Sequence, residues 1–96
     1  MTTELLGIGT SVPYDKGTDL ITLQSVISEG GLIEIVRIHS MHNVRGILII
    51  DEEGVLKNKT VNHKASFYAG QLILGDALLL TNEDYIEFLK GEYDEQ

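Results

Sequence analysis

The sequence predicts an α+β domain: a small, mainly antiparallel sheet of about four strands, in the order β-α-β-β-α-β-α, packed by two or three short helices. Three observations lead there. Apolar runs recur at Leu32–Ile38, which is rich in β-branched residues, at Gly46–Ile50 and at Gln71–Thr81; stripes of helical period fall between and after them; and glycines stand where the stripes stop. The 96 residues make a single domain, 1–96, with one modest core.

Leu5–Gly9 reads as the first strand and Thr10–Gly17 as a loop behind it. Pro13 has no amide donor and biases Val12 away from helical geometry, so this loop should run extended and exposed. Thr18 or Asp19 then caps a helix over 19–28, whose Leu20, Leu23, Val26 and Ile27 share one face. Gly30-Gly31 ends it by reaching the left-handed conformation. Leu32–Ile38 is a strand with both faces mixed: Glu34 lies among Leu32, Val36 and Ile38, and Arg37 follows Ile33 and Ile35. One of these charged groups is expected near an end or an edge, where it can reach water. A hairpin through His39–Arg45 leads to Gly46–Ile50, apolar on both faces and therefore central. Asp51–Gly54 is a turn, with Gly54 expected at positive φ. Asn62 caps a short helix over 63–69 that Gly70 ends, and Gln71–Thr81 is a strand broken at Gly75-Asp76. Asn82 caps a last helix over 82–90, with Tyr85, Phe88 and Leu89 as its apolar stripe and Gly91 as its stop.

Net charge is −8, which disfavours a general phosphate-backbone binder, so direct nucleic-acid binding is not expected. The charges are segregated. Residues 1–36 hold one lysine against five acids and residues 65–96 one lysine against seven, whereas 37–64 hold five cations against three acids and all three histidines. The apolar runs are too short to span a bilayer and Met1–Glu4 lacks a basic n-region, so no membrane association is expected and an intracellular location is.

No cysteine is present, which removes disulfides, thiolate metal sites and cysteine nucleophiles. His39 and His42 have H-x-x-H spacing, and His63 is a conceivable third imidazole, but no carboxylate is placed as a further ligand; two histidines in a polar connection are simply read as solvated. The serines lack a nucleophile-elbow context, and the adjacent Glu52 and Glu53 point apart or into water. Gly7-Ile8-Gly9 opens no dinucleotide fingerprint. No enzyme, cofactor or metal is expected. A central band of Arg37, His39, His42, Arg45, Lys57, Lys59, Asn62, His63 and Lys64 is the candidate contact set for a small anionic ligand.

Leu23–Ile27 followed by Gly30–Ile38, then Asp51–Asn58 with Asn62, then Ile73–Leu79 resemble in order a family of small phage and mobile-element proteins, the domain of unknown function 3846. The similarity covers about residues 20–90. Residues 1–18 then form the first strand and loop, 19–90 the family-like core and 91–96 a frayed acidic tail. Asp51 stands where the family usually has Asn, Lys59-Thr60 where Leu-Pro is frequent, and His63 where Arg is frequent. The resemblance implies a phage origin and an accessory role, and carries no catalytic residue. Its glycines and aliphatics serve backbone geometry and burial; Glu34, Arg37, Glu52, Lys57, Asn62 and Asp76 are the polar remainder.

The expectation is a protein of the host cytoplasm that binds a host protein stoichiometrically, such as an antiviral defence component, through Glu83, Asp84 and Glu87 of the last helix. The alternative is an oligomeric sponge that sequesters a nucleotide-like signalling molecule on the basic band. A homo-oligomer joined at an edge strand, with Leu78–Leu80 near that edge, is a third possibility.

Overall fold

The computed structural model describes residues 3–39, 41, 43–81, 84–86 and 88. The chain forms β1 (Thr3–Gly7), β2 (Thr10–Pro13), α1 (Leu20–Ser28), β3 (Ile33–Arg37), β4 (Gly46–Asp51), α2 (His63–Ala69) and β5 (Ala77–Thr81). One five-stranded sheet has the order β2-β1-β5-β4-β3, and each neighbouring pair is antiparallel. The α+β class and the antiparallel sheet follow the sequence reading.

Strand alternation places the core on both sides of this sheet. Leu48 and Ile50 face α2 with Leu6, Val36, Ala77 and Leu79, against Ala65, Ala69 and Ile73. Ile47 and Ile49 face the other way with Leu78 and Leu80, against Leu23 and Ile27 of α1 and against Phe88. A strand buried on both faces needs apolar residues at every position, which is why β4 and β5 lack alternation.

The fifth strand lies where a loop was expected. Ile8-Gly9 forms a two-residue turn, Gly9 at φ +76°, and Thr10–Pro13 folds back to pair Glu4 with Pro13 and Gly7 with Thr10. All four β2 residues are exposed, so no burial pattern marks the strand, and Pro13 is tolerated because it ends an edge strand.

Leu78–Leu80 corrects a second expectation. These residues lie in β5, between β1 and β4 at the centre of the sheet, and are buried. β3 is the mixed-face edge strand, with Glu34 and Arg37 exposed on opposite faces. Gln71–Asp76 contributes only an isolated Val61–Leu74 bridge, and Gly75 turns the chain at φ +89°.

Asp19 caps α1, its side chain accepting from Thr22 N at 3.1 Å, and Asn62 caps α2, as their spacing predicts. α1 does not end on a glycine: Glu29 itself takes the left-handed conformation, φ 52°, and Gly30 follows at φ +88°. Gly54 is not at positive φ either. Its role is close approach, since a Cβ there would stand 2.8 Å from the Leu74 carbonyl oxygen. Residues 84–86 and 88 are helical, with Tyr85 and Phe88 packed on the α1 side; the remainder of the expected 82–90 helix and the 91–96 tail lie outside the described residues.

Candidate functional site

The hairpin register decides what becomes of the basic band. Antiparallel pairing of β3 with β4 puts Arg37, His39 and Arg45 at one end of the sheet and Asp51, followed by Lys57 and Lys59, at the other. The band is therefore not one surface.

Lys57 and Lys59 are committed within the fold. Lys57 Nζ lies 2.9 Å from the Asp51 carboxylate and 3.2 Å from that of Glu29, and Lys59 Nζ lies 2.8 Å and 2.9 Å from the same two groups. Both ammonium groups also donate to the last carbonyls of α1, Lys57 to Ser28 O at 2.8 Å and Lys59 to Ile27 O at 3.2 Å. Cations at a helix C-terminus satisfy carbonyls that have no intrahelical partner and oppose the helix dipole favourably. Asp51 is the buried hub, and its Oδ1 also accepts from Glu53 N at 2.8 Å. Burial works to raise the Asp51 carboxyl, but hydrogen bonds from Lys59 and Lys57 outweigh it and hold the group below its ordinary value. Hydrogen bonding from Lys59 likewise lowers Glu29. The Asp51 hydrogen bond raises Lys57; Lys59 is raised because its bonds to Asp51 and Glu29 exceed the opposing effect of burial. Contrary to the ligand-contact expectation, these lysines clamp α1 to the turn after β4.

Asn62 is also structural rather than a ligand contact. It is buried, its Oδ1 accepts from Ala65 N at 3.0 Å, and its Nδ2 donates to Leu6 O at 2.8 Å and Gly75 O at 2.9 Å. His39 has its ring against Gly70, donates its backbone N–H to Tyr68 O at 2.7 Å and accepts from Met41 N at Nδ1. His63 opens α2, so it and His39 stand at opposite ends of that helix. His42, Glu83 and Glu87 lie outside the described residues. No three His, Cys, Asp or Glu side chains are grouped to hold a metal among the described residues, and no helix there is long and apolar enough to cross a membrane.

Surface depressions among the described residues bear on the remaining candidates. Exposed His63 and Lys64 line one with the β1–β2 turn and with Thr10 and Ser11 of β2; Ser11 Oγ donates to Glu4 at 2.7 Å. A second is lined by Thr3, Tyr14, Asp84 and Phe88. There Thr3 Oγ1 donates to Asp84, so this acid of the expected partner surface is tied to β1. Burial, then Asp19 and Asp15, pushes up the Tyr14 phenol, which donates to Gly17 O at 2.6 Å.

A further depression brings together Glu34 and Glu52 of the polar remainder with aliphatic residues not expected beside them. On the α2 face, at the Asp51 end of the sheet, a groove is lined by Glu34 and Glu52 together with Val55, Leu72 and Ile73. Val55 is 73% exposed and Leu72 66%. Val55 stands in the turn after β4 outside any periodic pattern, and an aliphatic residue with no helix or strand to bury it was the available signal; Leu72 falls in the run that reads as the Gln71–Thr81 strand, so nothing marked it. Lys57 and Lys59 are drawn to Asp51 toward α1, which leaves carboxylates as the charges lining this groove.

No protein-family model matches the chain, and neither a curated protein nor a solved structure matches it.

Proposed function

We propose that the chain is a small phage-encoded accessory protein of the host cytoplasm that binds a host protein stoichiometrically, a component of antiviral defence being the leading class. The groove of Glu34, Glu52, Val55 and Leu72 is the observation that carries this reading. Exposed aliphatic carbon rimmed by carboxylates suits a partner segment in which a large apolar residue is flanked by Lys or Arg. The overall charge of −8 steers such a segment toward the protein from a distance. A blocker of this kind needs no catalytic group, and the resemblance to phage and mobile-element proteins supports a viral origin.

Native mass spectrometry of the tagged protein from a host lysate tests it, with Leu72→Asp and the pair Glu34→Lys and Glu52→Lys as groove variants. A host polypeptide should accompany the wild type at a fixed ratio, and each variant should bind it at least about tenfold more weakly, or ~1.4 kcal/mol. Equal capture by the groove variants, with loss on charge reversal at Glu83, Asp84 and Glu87, would move the surface to the last helix. Absence of any partner would remove the reading.

One observation favours a second reading. The depression holding Lys64 and His63 beside the Thr10 hydroxyl offers a cationic and a neutral donor to an anion, as a nucleotide sponge requires. Titration calorimetry with a cyclic dinucleotide and with ADP-ribose should then give saturable heat that Lys64→Ala reduces. No heat with either compound ends this reading for those ligands.

A further inference from the structure

The two edges of the sheet differ in a way that points to a second copy of this chain. β2, at one edge, is four residues long and ends in Pro13. β3, at the other, runs five residues with no proline and no lysine, and its charged Glu34 and Arg37 point to opposite faces. Edges left this open pair readily with another strand.

The hydrogen bonding of β3 states which of its groups are open. Glu52 N donates to Leu32 O and Ile38 N to Gly46 O, in the register that pairs Ile33 with Asp51 and Arg37 with Ile47. Residues 32, 34, 36 and 38 therefore direct their backbone groups at β4. In an antiparallel ladder the alternate residues direct theirs away. Ile33, Ile35 and Arg37 thus present N–H and C=O to the outside.

The geometry points to a two-fold dimer in which β3 pairs antiparallel with β3 of the second copy, with Ile35 opposite Ile35 on the axis. Opposed residues of one sheet share a face, so only registers whose paired numbers sum to an even value are allowed. Of these, the register centred on Ile35 sets all three outward-facing residues against one another: Ile35 on Ile35, and Ile33 on Arg37 twice. It buries Ile35, 39% exposed in the single chain, against its own copy. The contact is isologous and closes, and Pro13 on the other edge opposes open-ended growth. This inference goes beyond the proposed partner binding and does not depend on it.

The absence of native cysteines permits a register-specific test. Across a hydrogen-bonded antiparallel pair the Cα atoms lie about 5.5 Å apart, within disulfide range. Ile35→Cys should therefore form a covalent dimer under mild oxidation at least about tenfold faster than Leu56→Cys, an exposed position in the turn after β4. Sedimentation of the wild type in about 0.15 M salt should show mass rising toward twice the chain's with concentration, with Kd of order 10⁻⁵ M for so small an interface. Ile35→Lys, which sets two ammonium groups on the axis, should stay monomeric with an unchanged far-ultraviolet spectrum. The inference fails if the wild type stays monomeric to about 200 μM. It fails equally if Ile35→Cys links no faster than Leu56→Cys, or if folded Ile35→Lys dimerises like the wild type.

Discussion

Asn62 joins three parts of the fold with one short side chain: the first turn of α2, β1 through Leu6 O and the turn before β5 through Gly75 O. Asn62→Ala leaves those two carbonyls without their donor and removes a helix cap, so it should cost roughly 2–4 kcal/mol, read as a lowered urea midpoint. Asp51 holds a comparable position among charges. Asp51→Asn leaves the two lysines only the exposed Glu29 carboxylate as an anionic partner, and because they remain partly hydrated the loss should be roughly 2–3 kcal/mol. Its pH dependence has a definite sign. The Asp51 and Glu29 carboxyls lie below their ordinary values of 3.8 and 4.5, so their contribution is complete above that range and lost as pH falls through the folded values. Lys57 and Lys59 lie above 10.5, so theirs is complete below that value and lost as pH rises through the folded ones. Melting temperature should be level near neutrality and drop at both extremes, more shallowly on the acid side in Asp51→Asn. The cap at Asn62 was legible in the sequence because a cap needs only local spacing. The partners of Lys57 were not, because Ser28 and Glu29 are nearly thirty residues away and meet it only through the sheet.

At the scale of elements, the Lys57 and Lys59 clamp fixes the end of α1. The αL conformation of Glu29 carries a steric cost of about 1–2 kcal/mol that a glycine would avoid, and the two ion pairs of its carboxylate offset it. Lys57→Met with Lys59→Met removes that compensation and uncovers the Ile27 and Ser28 carbonyls. Amides of the last turn of α1 should then exchange at least about tenfold faster in deuterium, while those of β5 keep their protection. The sequence showed where α1 starts and which face it buries, since Leu23 and Ile27 lie on one stripe. It hid β2, because an edge strand exposed at every residue carries no hydrophobic alternation. The β4 run was readable as central for the converse reason, being apolar at positions that face α1 and α2 alike.

Across the whole molecule the two halves of the core share β4 and β5 as a common wall. Leu48→Ala opens a cavity toward α2 and Leu78→Ala one toward α1, and both side chains are fully buried. Each should cost about 3–4 kcal/mol, a large part of the total stability expected of so small a domain. Since the strands are shared, tyrosine fluorescence and circular dichroism should give coincident urea transitions in either variant; separated transitions would mean that the two faces unfold independently.

The position of β1 also constrains how the molecule is made. Its inner neighbour is β5, with Thr3 against Leu80, so this ladder closes a loop of nearly eighty residues. On the ribosome, β3 and β4 can join as soon as both have emerged, yet β4 lacks its second neighbour until residues 77–81 follow. Until then a double-sided apolar strand stands half open, and the β1–β2 hairpin has nothing to dock on. Late closure of this kind slows folding, and a nascent chain stalled before Ala77 is the form most prone to aggregate or to recruit a chaperone.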